Sequence, residues 1–253
     1  MANHLRASDF ILSPEGGSLN SLSVIYEDNH LLVVDKPAGL ATMGSELGTQ
    51  TMARQAAEYL KYKYDKPGKV FVGVVSRLDR LVSGVLVLAR TSKAASRLSE
   101  QIRMHRTEKF YLACVEGSLK PSNNVDGWSE VTHWVRKNET LKQMQTVDAS
   151  MPHAQQATLR LRVLGQSGPL SLIEVQLVTG RKHQIRLQLS ELGHPILGDT
   201  KYGAKRRFAQ GIALHSHRLT IEHPTQKHSM TFESSPRSRW SSIPAPLLEV
   251  LRS

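Results

Sequence analysis

The apolar positions of this chain fall mostly into short runs broken by turn residues, with a helical period in only a few stretches. Residues 24–26 and 31–34 are β-branched and aliphatic around Glu27-Asp28-Asn29, the pattern of a hairpin, and Lys36-Pro37-Ala38-Gly39 follows as a turn. From 51 to 64, Ala53, Ala56, Ala57 and Leu60 recur at helical spacing beneath a Thr49 or Thr51 cap, and Pro67-Gly68 closes that element. Residues 70–75 and 85–89 are apolar runs that predict two strands, one entering and one leaving a polar turn. Ser92 is a candidate cap for a helix with Ala94, Leu98 and Ile102 on one face and Lys93, Arg97, Arg103 and Arg106 elsewhere.

Residues 109–115 read as a strand with Lys109 and Tyr111 on one face and Phe110, Leu112 and Cys114 on the other. Residues 120–153 hold Trp128 and Trp134 but show no period, and a loop-rich connection is expected there. Alternation returns at 157–163, turns at 165–169, and resumes through 170–178, predicting an antiparallel pair. The period then changes. The stretch from Thr179 to Arg186 is expected to open a helix whose buried stripe is Ile185, Leu189 and Leu192, stopped by Gly193 and Pro195. On that wheel Arg181, Lys182 and Arg186 lie away from the stripe, as either a solvated face or an anion site. A further strand is expected near 212–221 and a short helix after Pro246, while residues 1–20 are polar and read as an arm ahead of one domain spanning 21–253.

Composition narrows the function classes. The chain carries 33 Lys and Arg against 22 Asp and Glu, a formal charge of +11 and a pI near 9.9, which favours a polyanionic partner. One cysteine, Cys114, excludes an internal disulfide framework and a cysteine-rich zinc site. No run reaches the length of a membrane span and the N-terminus lacks the apolar core of a signal peptide, so a cytoplasmic protein with no membrane partner is expected.

The candidate chemistry centres on Ser76-Arg77-Leu78-Asp79-Arg80, a carboxylate with arginines two before and one after it. In an extended segment Arg77 and Asp79 would share a face, and a guanidinium there would favour the charged carboxylate, the form that serves as nucleophile or base. A structural ion pair closing a turn is the competing reading. Tyr111 beside Lys109 could stack on a base or be half in the core.

Three ordered stretches resemble the RluA family of pseudouridine synthases: Arg77-Leu78-Asp79-Arg80 with Ser83-Gly84, then Thr179-Gly180-Arg181 through His183-Gln184-Ile185-Arg186, then Gly193-His194-Pro195-Ile196-Leu197-Gly198-Asp199. Val33 through Leu40, Lys109-Phe110-Tyr111-Leu112-Ala113, Tyr202-Gly203 and Leu214-His215 support it. The resemblance implies an α+β fold with a long mixed, largely antiparallel sheet, surrounding helices and a central cleft. It implies Asp79 as catalytic aspartate, Tyr111 as the tyrosine that packs on the target uracil, Arg186 as the basic partner of Asp79, and Arg77 as the arginine that enters the RNA stack. With the charge excess it assigns RNA contacts to Arg77, Arg80, Lys109, Arg181, Lys182 and His183. The expected protein is a monomeric enzyme that isomerises uridines in ribosomal or transfer RNA without a cofactor or metal. Ser76, Leu81, Val82 and Lys182 depart from the family pattern, and about 20 residues ahead of the first strand are too few for the S4-type module of many relatives.

Two other classes are carried alongside. A noncatalytic RNA-binding protein of the same fold would fit the charge and the altered flanks of Asp79. A metal-dependent hydrolase would draw on pairs such as His215 and His217 or His223 and His228, but no Glu lies at helical spacing between paired histidines.

Overall fold

The computed structural model of the protein describes residues 22–44 and 49–252, so the arm expected over residues 1–20 lies outside the described residues. In chain order the elements are β1 (Val24–Glu27), β2 (Leu31–Lys36), α1 (Met52–Lys63), β3 (Gly73–Val74), β4 (Ser83–Ala89), α2 (Ser92–Arg103), β5 (Glu108–Glu116), β6 (Ser129–Asn138), β7 (Gln143–Thr146), β8 (Gln155–Ser167), β9 (Leu170–Leu177), α3 (Gln184–Glu191), β10 (Leu214–Glu222), β11 (Ser229–Glu233) and α4 (Ala245–Glu249). Among the described residues the strands join in one mixed, mostly antiparallel sheet of order β1-β2-β4-β10-β5-β9-β8-β6-β7, with β11 on β10 and β3 on β4. This is the α+β architecture expected from the resemblance.

The uninterrupted apolar runs of β2 and β4 follow from burial on both faces. Leu32, Val34, Leu86 and Leu88 pack with Met52, Ala56 and Leu60 of α1, while Leu31, Val33, Val85 and Val87 pack with Ala94 and Leu98 of α2. Thr51 caps α1 by accepting from the Arg54 amide at 3.3 Å. Thr91, not Ser92, caps α2, accepting from the Ala94 amide at 3.1 Å. Thr91 supplies the same type of hydroxyl one residue earlier, and Ser92 becomes the first helical residue.

Three sequence expectations are corrected. The strand expected over residues 70–75 shrinks to the two residues of β3. The connection expected at 120–153 contains β6 and β7, which form the far edge of the sheet. An edge strand needs no continuous apolar face, and β6 is half solvated on both sides apart from Val135. The helix expected to open at Thr179 begins at Gln184, and all of residues 184–189 are buried, so Arg186 lies inside the protein and not on a solvated face. Leu192, placed in the buried stripe, is 38% exposed just past the end of α3.

The parallel contact between β4 and β10 sets up the site. It pairs His215 with Ser83 and Ser216 with Gly84, and on its other edge β10 pairs Ser216 with Tyr111 of β5. Gly84 has φ +112, and a Cβ there would run into the Ser216 carbonyl, so this approach requires glycine. The segment before β4 is thereby brought up to Tyr111 across a single strand.

Beneath this contact His215 is fully buried, its Nδ1 2.8 Å from the Ser83 hydroxyl and its Nε2 3.1 Å from the Ser234 carbonyl. Burial pushes its pKa down from 6.5 to about 4, with the Asp35 charge opposing. The unfolded chain therefore takes up this proton first, so the contribution of a neutral His215 is complete above pH 6.5 and is lost as pH falls toward 4. Urea unfolding is expected to show a loss of about 2 kcal/mol from this group between pH 7 and 4.5. A His215→Gln variant should lose less stability over the same interval, and an equal loss in both proteins would remove His215 as the cause.

Candidate active site

Asp79 sits in a turn that is tied down from several sides. The Leu78 amide donates to the Thr42 hydroxyl at 3.1 Å, that hydroxyl donates to the Leu78 carbonyl at 2.8 Å, and the Val82 amide donates to the Asp79 carbonyl at 3.0 Å. The Gly39 amide and the Lys36 ammonium both reach the Arg80 carbonyl, at 2.7 and 3.4 Å. Lys36 is fully buried, and its ammonium also donates to the Pro37 and Leu40 carbonyls at 2.8 and 2.7 Å. Burial pulls the Lys36 pKa down to about 8, against the opposing influence of the Asp79 charge. The Lys36-Pro37-Ala38-Gly39 turn thus forms the floor of the Asp79 turn.

The partner of Asp79 comes from α3. Arg186 donates from Nε and Nη2 to the two oxygens of buried Asp199 at 2.6 and 2.8 Å, and its Nη1 reaches Asp79 Oδ2 at 3.3 Å. Burial disfavours the Arg186 charge, yet Asp199 first and Asp79 second more than restore it, and its pKa ends above the ordinary value. The Tyr202 ring lies 5.0 Å from the guanidinium. A bidentate arginine–carboxylate pair fixes the plane of the guanidinium, so the remaining nitrogen is aimed and not free to swing.

The carboxylate opens onto a cavity of about 260 Å³ lined by Asp79, Arg80, His183, Arg186, Asp199 and Lys201, among others. His183 stands at φ 52 immediately before α3, with Nε2 3.7 Å from Asp79 Oδ2. Tyr111 is 9% exposed, and burial, then the Asp79 charge, push its pKa up to about 12 against a hydrogen bond with Ser216. Its hydroxyl stays protonated at neutral pH. Lys109, on the same strand, is half-buried and its pKa is lowered by that burial.

Of the residues singled out from the sequence, Asp79, Arg80, His183 and Arg186 line one cavity, with Tyr111 buried close enough to feel the Asp79 charge. The expected Arg77–Asp79 pair is corrected. Arg77 is exposed, and among the described residues the ion-pair partners of Asp79 are Arg186 and His183. Residues 77–79 belong to no strand and a turn follows at Arg80 and Leu81, so the regular strand alternation behind that pairing does not apply here. Arg181 and Lys182 are exposed ahead of α3.

Asp199 and Tyr202 received no role from their position in the sequence, and Lys36 was read only as part of a turn. For Lys36 a signal existed: a lone lysine ends an apolar strand just before Pro-Ala-Gly. The histidines weighed as metal ligands have other partners: His217 Nδ1 is 2.8 Å from the Ser234 carbonyl, and His223 Nε2 is 2.8 Å from Asp28. Among the described residues no three His, Cys, Asp or Glu side chains converge in a way that could hold a metal ion.

Comparison with known proteins identifies the family and agrees with the fold. The family described as RNA pseudouridylate synthase matches residues 30–191. The chain is 34% identical over 215 residues to an uncharacterized RNA pseudouridine synthase, YhcT, of Bacillus subtilis, covering 83% of this chain and 66% of that protein. It is 32% identical over 224 residues to the dual-specificity RNA pseudouridine synthase RluA of Escherichia coli K12, covering 84% of this chain and 92% of that one. The solved human protein RNA pseudouridylate synthase domain containing 1 superposes with a TM-score of 0.69 at 26% identity, over 94% of this chain and 98% of that one. The chain belongs to the RNA pseudouridylate synthase family, a family of isomerases, and within it to the RluA branch.

Proposed function

We propose that this chain converts selected uridines of structured RNA, ribosomal or transfer, to pseudouridine, with Asp79 as the nucleophile. The observation that carries this reading is the division of Arg186 between two carboxylates: Asp199 holds it bidentately, and its third nitrogen orients Asp79 at the mouth of a cavity. Attack by Asp79 on the base or on the sugar carbon accompanies cleavage of the N1–C1′ bond. The uracil turns, C5 bonds to C1′, the bond to Asp79 breaks and frees its carboxylate, the C5 hydrogen leaves as a proton and N1 gains one. Nothing is oxidised or consumed.

The other residues take supporting parts. Tyr111 offers a ring on which the extruded base stacks and a protonated hydroxyl beside the reacting carbon. Arg77, exposed at the turn, can fill the gap the base leaves by stacking its planar guanidinium. Arg80, Arg181 and Lys182 are exposed cations on the segments that bear Asp79 and Arg186, and they meet phosphates. Single-stranded and loop RNA fit best, because their bases are the easiest to splay out.

The test is release of tritium from RNA labelled at uridine C5, since that hydrogen leaves only when C5 becomes the attachment point. Total ribosomal and transfer RNA from cells lacking this enzyme should release label with the wild-type protein. No release from any of it would overturn the reading in favour of a noncatalytic RNA-binding protein. Tyr111→Phe keeps the ring, so RNA affinity should hold while release slows or stops. Tyr111→Ala should in addition lose about 1 to 3 kcal/mol of base stacking in a binding titration. Wild-type turnover by both variants would make Tyr111 a core residue only.

A further inference from the structure

We infer that His183 is a positioning residue for Asp79: the Tyr202 hydroxyl holds its imidazole in the tautomer with the proton on Nε2, and that proton is offered to the Asp79 carboxylate beside Arg186. The inference rests on the reading of Asp79 as the reactive group.

Hydrogen-bond accounting around Tyr202 leads to it. The buried Tyr202 oxygen accepts the Met144 amide proton at 3.1 Å and lies 2.9 Å from His183 Nδ1. A buried hydroxyl proton needs an acceptor, and His183 Nδ1 is the one within reach among the described residues. With Nδ1 accepting, a neutral imidazole carries its proton on Nε2, the nitrogen 3.7 Å from Asp79 Oδ2. That separation exceeds a formed hydrogen bond, and contacts of this kind tighten when substrate closes the site.

The surroundings keep the ring neutral. Burial comes first, and Arg186 from α3, Lys182 before it and Lys201 from the turn at Thr200–Tyr202 all oppose protonation, while Asp79 alone favours it; the His183 pKa is lowered. The backbone points the same way. His183 adopts a left-handed conformation without capping α3 through its side chain, and a non-glycine residue in that region stores strain of about 1 kcal/mol or more. The strain places the imidazole between Tyr202 and Asp79. Both Arg186 and His183 address Oδ2, and among the described residues Oδ1 accepts no hydrogen bond, which leaves Oδ1 as the oxygen free to attack.

Nitrogen-15 histidine labelling of the full chain reads this directly by NMR, with His183→Gln assigning the signal. The expected result is a single Nε2–H tautomer at neutral pH, a mixture of tautomers in Tyr202→Phe, and a His183 titration moved to lower pH in Asp79→Asn. An Nδ1–H tautomer in the wild type, or a titration indifferent to Asp79→Asn, would overturn the inference. These measurements need no turnover, so they decide it even if RNA isomerisation fails. In single-turnover tritium release, His183→Ala should be slower by about 10- to 100-fold at unchanged RNA affinity, the equivalent of one hydrogen bond to a charged group. His183→Gln, which keeps a donor near the Nε2 position, should recover most of that rate, and a wild-type rate in His183→Ala would also sink the proposal.

Discussion

Asp79→Asn is expected to bring tritium release from C5-labelled RNA to background while RNA affinity stays equal or rises. The substitution preserves size and most hydrogen bonding but deletes the charge and the nucleophilic oxygen, so the loss belongs to turnover. Folding should survive, because the side chain is 30% exposed and the turn is held through backbone groups and through Thr42 and Lys36. A gain in affinity has a simple origin: Arg186 Nη1 and the rim cations lose a competing anion and meet phosphate more strongly. Undiminished release by Asp79→Asn would exclude Asp79 as nucleophile.

The second large effect belongs to Asp199. Asp199→Asn leaves the buried Arg186 guanidinium facing an amide, and breaking a buried pair from one side is expected to destabilise by about 3 to 5 kcal/mol in urea unfolding. Isomerisation should fall with it even where the variant is fully folded, since the plane of Arg186 is no longer fixed. The double variant Arg186→Met with Asp199→Leu separates the two roles. Removing both charges together should recover much of the stability, because desolvation of the pair ceases, yet leave the enzyme inactive. A stable, inactive double variant makes the pair catalytic scaffolding; an active one would show that Asp79 needs no orienting cation.

Much of the sheet was legible because its central strands obey simple patterns. β2 and β4 show their burial on both faces as apolar runs and β8 shows burial on one face as alternation, whereas the alternation of β9 conceals that Ser171 and Glu174 are buried as well. β6 and β7 were not legible: an edge hairpin with polar residues on both faces carries no periodic signal. The helix α3 misled for a different reason. A helical wheel assigns charge to solvent, whereas Arg186 is buried because Asp199, thirteen residues on, meets it inside. No spacing rule links those residues, since the Asp199 turn is placed by an isolated bridge between Ile196 and Val115 of β5. Asp79 stood out from its local context alone, but its partner was legible only through family resemblance. Neighbours within a few residues, here Arg77, are poor guides to who meets whom in a turn.

The parallel contact of β4 with β10 also bears on the order in which the site can assemble. Ser83 and His215, which meet there, are 132 residues apart, and Arg186 reaches Asp79 across 107. Contacts this distant close late, because the chain entropy of a long loop must be overcome before they contribute, and folds dominated by them form slowly. The hairpin of β1 and β2, α1 and β4 join residues near in sequence, whereas the edge of β4 that receives β10 waits for a strand that begins 125 residues further on. A chain in which β10 has not yet inserted between β4 and β5 is therefore expected to leave Asp79 without the neighbours that make its turn a site, and inserting that one strand brings them together.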